Sequence, residues 1–293
     1  MNCCHAPIPL PTETSLPVRV PAPAKINIFL HIVGRRSDGY HLLQSHFRLI
    51  DWCDWLTLSP RDDGVIERRL APTAPPALRA LPDAADLTVR AAQLLRARYG
   101  TPELGATIEL EKTLPLGGGL GGGSSNAATV LLALNQLWKL YRTRAELIAL
   151  GEALGADVPF FLFGDDAFVE GIGERLTPYP KPSQTVWVFD PGVAVPTAAI
   201  FASPLLTRDT PSCTIATLSH SPLKNDLEPV VRQLFPEVDR AAQWLSQFGV
   251  VRMSGSGGCL VLYAEDLLLP DPPFGRLVRC QTIGRHPLWA WAK

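Results

Sequence analysis

A run of six glycines within seven positions is the part of the sequence best suited to chemistry. The segment consists of Pro115, Leu116, Gly117, Gly118, Gly119, Leu120, Gly121, Gly122, Gly123, Ser124 and Ser125. It lies between a predicted strand and a predicted helix, and unpaired backbone amides at a helix N-terminus bind anions. Glycine also lets the backbone approach a phosphate without a Cβ atom in the way. The run therefore predicts a phosphate-binding loop rather than a flexible linker.

The common nucleotide-binding patterns fit this run poorly. A dinucleotide fingerprint needs an acidic residue about 20 positions later, and residues 139–144 contain none. A P-loop needs a lysine directly after the glycines, and the protein-kinase signatures His-Arg-Asp and Asp-Phe-Gly are absent from the sequence. The pattern favours a phosphate cradle of another type, in which Ser124 and Ser125 could cap the helix or offer hydroxyls to a phosphate or Mg²⁺.

Lys25, Asn27 and Asp157 could supply the rest of a phosphoryl-transfer site. Alternate side chains of a strand share a face, so Lys25 and Asn27 can reach one small ligand. Asp157 follows a predicted helix in an apolar run, where a desolvated carboxylate beside a lysine can accept a hydroxyl proton. In isolation, Lys25 could be a solvated edge residue and Asp157 a simple turn former. Together with the phosphate loop, they describe phosphoryl transfer, in which catalysis is positioning and charge stabilisation.

The hydrophobic patterns predict the elements that position these residues. Alternation predicts a strand over residues 25–32 with one apolar face, and residues 60–83 are predicted to be rich in loops. The other predicted strands are 46–58, 107–110, 185–189, 250–254, 259–263 and 277–282, and the predicted helices are 86–99, 126–140, 143–154, 226–235 and 236–248. Strand, helix, strand, strand in the second half indicates a small α+β sandwich. We predict a loose N-terminal arm over 1–16 and domains over 17–172 and 173–293.

Composition and charge exclude several classes of protein. The 293 residues are 46% hydrophobic and 19% charged, which argues against disorder. With 27 basic and 28 acidic side chains and no basic run, nucleic acid is not expected as a partner. Neither a signal peptide nor an apolar segment of membrane-spanning length is evident. The six cysteines lack metal-binding spacing and are interpreted as reduced thiols, so we predict a cytoplasmic protein of undetermined oligomeric state.

Several segments resemble the motifs of the GHMP small-molecule kinases. Residues 23–30 contain Pro-Ala-Lys-Ile-Asn, residues 115–125 are the glycine run, and residues 253–259 contain Ser-Gly-Ser-Gly-Gly. The turn 38–41 and the segment 155–159 narrow the resemblance to members that phosphorylate a cytidyl-diphospho sugar alcohol for non-mevalonate isoprenoid synthesis. These motifs occur in the expected order, and jointly they are specific.

The resemblance implies a two-domain α+β fold, with an N-terminal domain like ribosomal protein S5 domain 2 and a ferredoxin-like C-terminal domain. It implies ATP and Mg²⁺ as cofactors, with the ATP phosphates wrapped by residues 115–125. Asp157 would accept the proton of the 2-hydroxyl of the methylerythritol unit, and Lys25 would hold that hydroxyl and the γ-phosphate. Ser125 is a candidate ligand for Mg²⁺, whose protein ligands are otherwise unassigned.

The resemblance also implies a set of substrate contacts. Tyr40 and Phe201 would sandwich the cytosine ring, and His41 would form hydrogen bonds with its edge. Asn27 and Thr197 would also contact the substrate. The alternatives that remain open are a GHMP kinase for another alcohol, such as homoserine or mevalonate, and a nucleotide-binding protein without catalysis. The presence of both a lysine and a carboxylate argues against the second, because binding of ATP alone requires neither.

Overall fold

The computed structural model describes residues 6–11, 16–218, 223–264 and 267–293. Within these ranges the strands are β1 (Val18–Arg35), β2 (His41–Arg61), β3 (Ile66–Leu70), β4 (Gly105–Glu111), β5 (Ala167–Glu170), β6 (Arg175–Pro178), β7 (Thr185–Asp190), β8 (Val250–Met253), β9 (Leu260–Tyr263) and β10 (Arg276–Ile283). The helices are α1 (Pro76–Arg79), α2 (Leu87–Tyr99), α3 (Gly122–Leu137), α4 (Arg144–Glu152), α5 (Val158–Phe163), α6 (Thr197–Ala202), α7 (Glu228–Leu234) and α8 (Pro236–Leu245).

The first sheet is organised around β2. This strand pairs in antiparallel fashion with β1, β4 and β5, and β3 runs parallel to β4 at the edge. Helices α2, α3, α4 and α5 pack their apolar residues against one face of the sheet and form its core. β3 lies in the stretch predicted as loops, because Glu67, Arg68 and Arg69 remove the apolar alternation that would reveal a strand.

β1 is buried on both faces, although its alternation predicted one apolar face. Lys25, Asn27 and His31 are each at most 3% exposed, as deeply buried as their apolar neighbours. An irregularity between Pro23 and Ala24 shifts the pairing with β2 by two residues, from Pro23 opposite Cys53 to Ala24 opposite Ile50. The polar side chains of this strand are therefore interior groups that must find partners inside the protein.

The second sheet has the strand order β10-β7-β9-β8, and its end joins the first sheet where Thr282 of β10 lies opposite Ile50 of β2. Leu260 and Leu262 of β9 pack with α7 and α8, whereas Val261 points to the opposite face. On that face, residues of β1, β2, the glycine run and the position just before the run complete a third core: Ala24, Ile26, Ile50, Leu114 and Leu120. The second sheet thus lies between its own helices and the glycine run.

The last residues of the chain pack with the first half of the molecule. Leu288 and Trp291 belong to the core that contains α3 and α4. Trp291 Nε1 donates to the carbonyl of Ile8 over 2.8 Å, and the amide of Ile8 donates to Pro287 over 3.0 Å. The N-terminal segment is therefore anchored at Ile8. The domain boundary between residues 172 and 173 stays a prediction. The end of the predicted second domain, 173–293, packs in the same core as the helices of the predicted first domain.

The interpretation of all six cysteines as reduced thiols was wrong, as Cys53 shows. Cys213, Cys259 and Cys280 are free and buried, but Cys53 is disulfide-bonded. Spacing along the chain could not indicate this bond, because cysteine pairing depends on proximity in the fold. Cys3 and Cys4 lie outside the described residues. Among the residues that are described, no helix is both long and apolar enough to cross a membrane.

Candidate active site

A cleft of about 590 Å³ brings together most of the predicted site residues. Its walls come from β1, the glycine run, the turn before α5, the start of α6 and the turn after β8. The predicted residues that line it are Lys25, Asn27, Pro115, Leu116, Gly117, Gly118, Gly119, Leu120, Gly121, Gly122, Gly123, Ser124, Asp157, Thr197 and Phe201. The cleft therefore joins segments that are far apart in the sequence.

Alternating backbone conformations shape the glycine run. Gly117, Gly119 and Gly121 have φ values of +67°, +77° and +70°, in the region that favours glycine. A Cβ atom on Gly119 would lie 1.9 Å from the carbonyl oxygen of Ser254. On Gly257, a Cβ would lie 2.0 Å from the amide nitrogen of Gly119. The run and the turn after β8 are thus in direct backbone contact, which explains why both are rich in glycine.

The carbonyl groups of residues 117–120 are all engaged by the protein. Gly117 and Gly118 accept from the amides of Val195 and Cys259 over 3.4 and 3.1 Å. Gly119 accepts from Ser254 Oγ over 3.0 Å, and Leu120 accepts from the amide of Lys25 over 3.0 Å. No described residue accepts from the amides of residues 117–121. These amides, next to the N-terminus of α3, form a cradle suited to phosphate oxygens.

Lys25 is a buried cation at the base of the cleft. Its Nζ donates to Asn27 Oδ1 over 2.6 Å and lies 3.9 Å from Asp157 Oδ2. Burial lowers the pKa of Lys25, and the nearby Asp157 carboxylate partly opposes this effect. The stem of the Lys25 side chain also lies against the glycine run, since a Cβ on Gly121 would be 3.2 Å from Lys25 Cγ. A cation in this position suits a transferred phosphoryl group.

Asp157 is placed to act with Lys25. It precedes α5, whereas the sequence predicted a turn between a helix and a strand. Its side chain does not cap that helix, since it accepts no hydrogen bond from the first turn. The carboxylate is one-third exposed, so it faces both the buried lysine and the open cleft. It can therefore accept a proton from a ligand hydroxyl.

Asn27 holds Lys25 in place. Its Oδ1 accepts from Lys25, and its Nδ2 donates to Ser45 Oγ over 2.9 Å. Because both ends of the amide already have protein partners, the structure gives Asn27 a positioning role toward the lysine. Direct contact between Asn27 and the substrate stays a prediction.

Lys112 and Asp54 form a second buried ion pair that sequence reasoning missed. Lys112 Nζ lies 2.6 Å from Asp54 Oδ2, and both side chains are almost fully buried. Asp54 Oδ1 also accepts from the amides of Thr113 and Leu114, which lead into the glycine run. Lys112 Nζ would be 3.0 Å from a Cβ on Gly122. The pair therefore fixes the segment that leads into the glycine run and adds a cation beside the run. In the sequence, the only indication of this pair was a lysine shortly before the glycines.

Ser125 does not line the cleft, which corrects its suggested role toward a phosphate or Mg²⁺. Its side chain is fully buried, and Oγ donates to the carbonyl of Pro23 over 2.6 Å. The helix N-cap is Gly121 and not a serine, because the helix begins inside the glycine run. Across the described residues, no group of three or more His, Cys, Asp or Glu side chains could hold a metal.

Of the residues predicted to bind the base, Phe201 lines the opposite end of the cleft, whereas Tyr40 and His41 lie outside the lining. The rings of His41 and Phe201 lie 5.1 Å apart between centroids, at an angle of 37°. Tyr40 is 61% exposed, and its amide donates to Asp38 Oδ1 in the turn before β2. Thr197 Oγ1, at the start of α6, is 2.6 Å from Ser256 Oγ. Ser256, which was not among the predicted site residues, also lines the cleft.

Arg208 is a further residue at this end that the sequence did not indicate. Its Nε donates to His41 Nε2 over 3.0 Å. The two residues are 167 positions apart, so no local pattern could connect them. Burial, followed by the positive charges of Arg208 and Arg35, lowers the pKa of His41.

Comparison with known proteins matches this architecture to one class of enzymes. Residues 86–165 match the description "GHMP kinases N terminal domain", and residues 213–268 match "GHMP kinases C terminal". A crystal structure of mevalonate kinase covers 92% of this chain and 100% of its own with a TM-score of 0.65, but its identity of 13% shows the fold alone. The two-domain α+β GHMP fold predicted from the sequence is confirmed.

Two more similar proteins define the particular group. The chain is 53% identical over 277 residues to 4-diphosphocytidyl-2-C-methyl-D-erythritol kinase of Thiobacillus denitrificans (strain ATCC 25259 / T1), covering 92% of this chain and 96% of that one. A crystal structure of 4-(cytidine 5'-diphospho)-2C-methyl-D-erythritol kinase is 34% identical, covers 91% of this chain and 100% of its own, and has a TM-score of 0.73. The chain belongs to the GHMP kinase family, in the group of these 4-diphosphocytidyl-2-C-methyl-D-erythritol kinases.

Proposed function

We propose that this chain transfers the γ-phosphoryl group of ATP to the 2-hydroxyl of 4-diphosphocytidyl-2-C-methyl-D-erythritol. The products are the 2-phosphate and ADP, in the non-mevalonate route to isoprenoid precursors. The proposal is supported by the relatives that bear this name. The single structural observation that carries it is the cleft in which a phosphate cradle, a buried lysine and a carboxylate meet.

In the proposed reaction, the substrate 2-hydroxyl oxygen forms a bond to the γ-phosphorus while the bond from that phosphorus to the β–γ bridging oxygen breaks. Asp157 accepts the hydroxyl proton, and the electron pair of the broken bond remains on ADP. Lys25, fixed by Asn27, stabilises the negative charge on the transferred group and orients the hydroxyl. The proximity of Lys25 Nζ and Asp157 Oδ2 supports this division of roles.

We propose that residues 115–124 bind the ATP phosphates mainly through backbone amides. Lys112 adds positive charge beside α3. The kinase family implies the use of ATP, and Mg²⁺ would be carried by the phosphate oxygens of the nucleotide. Among the described residues, no group of three or more His, Cys, Asp or Glu side chains could hold that ion.

At the other end of the cleft, we assign the cytidine to Tyr40, His41 and Phe201. Stacking between aromatic rings with hydrogen bonds to the base edge is the usual way to recognise an unpaired base. Thr197 would contact the sugar-alcohol diphosphate from the start of α6. We further propose a cytoplasmic enzyme whose partners are its two small-molecule substrates and not nucleic acid.

The test is an ATP-consumption assay with three acceptors: the cytidyl-diphospho sugar alcohol, homoserine and mevalonate. We expect activity with the first acceptor alone. Clear activity with homoserine or mevalonate, and none with the cytidyl compound, would replace the proposed substrate by another alcohol. ATP binding without turnover of any acceptor would support a non-catalytic nucleotide-binding protein.

A further inference from the structure

Arg208 connects the residues assigned to the base. Its Nε donates to His41, and its Nη2 donates to the carbonyls of Phe201 and Ser203 over 3.0 and 2.8 Å. Nη1 donates to the carbonyl of Leu206 over 3.0 Å. One guanidinium therefore fixes the His41 ring and the backbone that carries the Phe201 ring.

The bond to His41 determines which ring nitrogen carries the proton. A guanidinium only donates hydrogen bonds and does not lose its charge in proteins, so Nε2 of His41 must accept with its lone pair. A neutral imidazole with a lone pair on Nε2 carries its proton on Nδ1. In the described part of the chain, no residue bonds to that Nδ1. The Nδ1–H group can therefore donate to a ligand that enters beside Phe201.

We propose that Arg208 is a specificity-determining positioning residue that fixes His41 as an Nδ1–H donor and thereby selects cytosine over uracil. The inference rests on the proposed function, in which His41 meets the edge of the base. Cytosine presents an acceptor at N3, whereas uracil presents an N3–H donor at the same position. The Nδ1–H group complements cytosine, but with uracil two donors would face each other and neither would be satisfied.

The charges that face His41 favour the same state. Arg208 faces the ring from the segment after α6, and Arg35 faces it from the end of β1; both cations oppose a second proton on the ring. Burial of the ring acts in the same direction. The imidazole therefore keeps one proton near pH 7, and the Arg208 bond assigns that proton to Nδ1.

The decisive variant is Arg208→Met, which removes every donor and retains an unbranched side chain. We would measure kcat/KM for the cytidyl-diphospho acceptor and for its uridyl counterpart at pH 8. Without Arg208, His41 can also adopt the Nε2–H tautomer, whose Nδ1 accepts from uracil. The ratio of cytosine to uracil activity should fall about tenfold, the size of a single hydrogen-bond mismatch. Arg208→Lys, which keeps a donor-only cation, should retain most of the ratio.

The pH dependence separates this role from simple support of the fold. At pH 5.5, a doubly protonated His41 in Arg208→Met again presents only donors, so this variant should regain part of its selectivity. The selectivity of the unmodified enzyme should change little between the two pH values. If Arg208 were only a structural clamp, both rates would fall together and the ratio would stay unchanged at either pH, which overturns the proposal.

A spectroscopic measurement on the substrate-free protein tests the inference without any assay. The ¹⁵N shifts of His41 should show the Nδ1–H tautomer in the unmodified protein and a mixture in Arg208→Met. Arg232→Met, which removes an arginine of α7 that is bonded to Asp239 of α8, is the matched control and should leave the shifts unchanged. An Nε2–H tautomer in the unmodified protein overturns the inference even if the methionine variant does not fold. Inactivity of the unmodified protein toward the cytidyl acceptor would instead overturn the proposed function.

Discussion

The two ends of the cleft are built in different ways. At the proposed donor end, residues 117–123, the groups that would bind ATP are backbone amides, and the surrounding protein engages four successive carbonyls. At the proposed acceptor end, residues 40, 41 and 201, the groups that would bind the base are side chains that come from separate segments and are in part exposed to solvent. Phosphates are common to many ligands, whereas a particular base is not. A cradle of backbone amides suits the binding of phosphates, and adjustable side chains suit the recognition of one base.

This difference also determines how each end tolerates change. At Gly119 in the donor end, an added Cβ meets backbone atoms that cannot move aside. At the acceptor end, a side chain can be exchanged without displacing the main chain. We therefore expect donor-end variants to affect both folding and catalysis, and acceptor-end variants to affect recognition of one substrate.

The largest effect on catalysis is expected from a change at Asp157, the carboxylate next to Lys25. Asp157→Asn removes the proton acceptor, and general-base catalysis contributes about 10²–10⁴-fold to rates. We expect kcat to fall about 10³-fold while the KM values of both substrates change little, measured by steady-state kinetics. Asp165→Asn, which removes a carboxylate bonded to Arg285, is the control and should leave kcat near its original value. A loss of less than about tenfold in Asp157→Asn would remove this residue as the base.

A smaller effect is expected from Gly119→Ala at the donor end. The new Cβ would clash with Ser254 O, and the positive φ adds a cost of about 1–2 kcal/mol. Displacement of the loop by about 1 Å can lower rates about 10²-fold, so kcat/KM for ATP should fall by that order and Tm should decrease. Gly284→Ala, where a Cβ meets no atom within 4 Å, should leave both unchanged. Full activity of Gly119→Ala would show that the loop is not held by this contact.

The smallest effect is expected from Tyr40→Ala at the acceptor end. Stacking on an aromatic side chain contributes about 1–3 kcal/mol per base, and Tyr40 is already exposed. The KM for the cytidyl substrate should rise about tenfold, with kcat, the KM for ATP and Tm unchanged. Equal effects on both substrates would contradict the separation of the two ends.

The elements with local signals could be predicted from the sequence. Thr143 and Glu146 form the predicted capping box of α4, and the paired strands of the second sheet lie close to the predicted positions. α3 begins at Gly122 and not at residue 126, because glycines that are poor helix formers enter the first turn beside the cleft. Short elements in which apolar residues do not recur at a regular spacing, such as β3, could not be predicted from the sequence.

The site was predictable to the extent that it depends on single segments. The glycine run, Lys25 and Asp157 carry recognisable chemistry in their local context, and they line one cleft. Arg208 and Asp54 act through contacts that span 167 and 58 positions. The chemistry of such residues is visible only after the fold brings their partners to them.

The dependence of the glycine run on distant segments has a consequence for the order of events during synthesis. The amide of Cys259 and the hydroxyl of Ser254 hold two of its carbonyls, and both belong to residues made more than 130 positions later. A nascent chain that has emerged only through α3 contains every phosphate-binding amide but lacks these restraints. We therefore expect a newly made chain to acquire affinity for ATP late, when β8 and β9 have joined the second sheet.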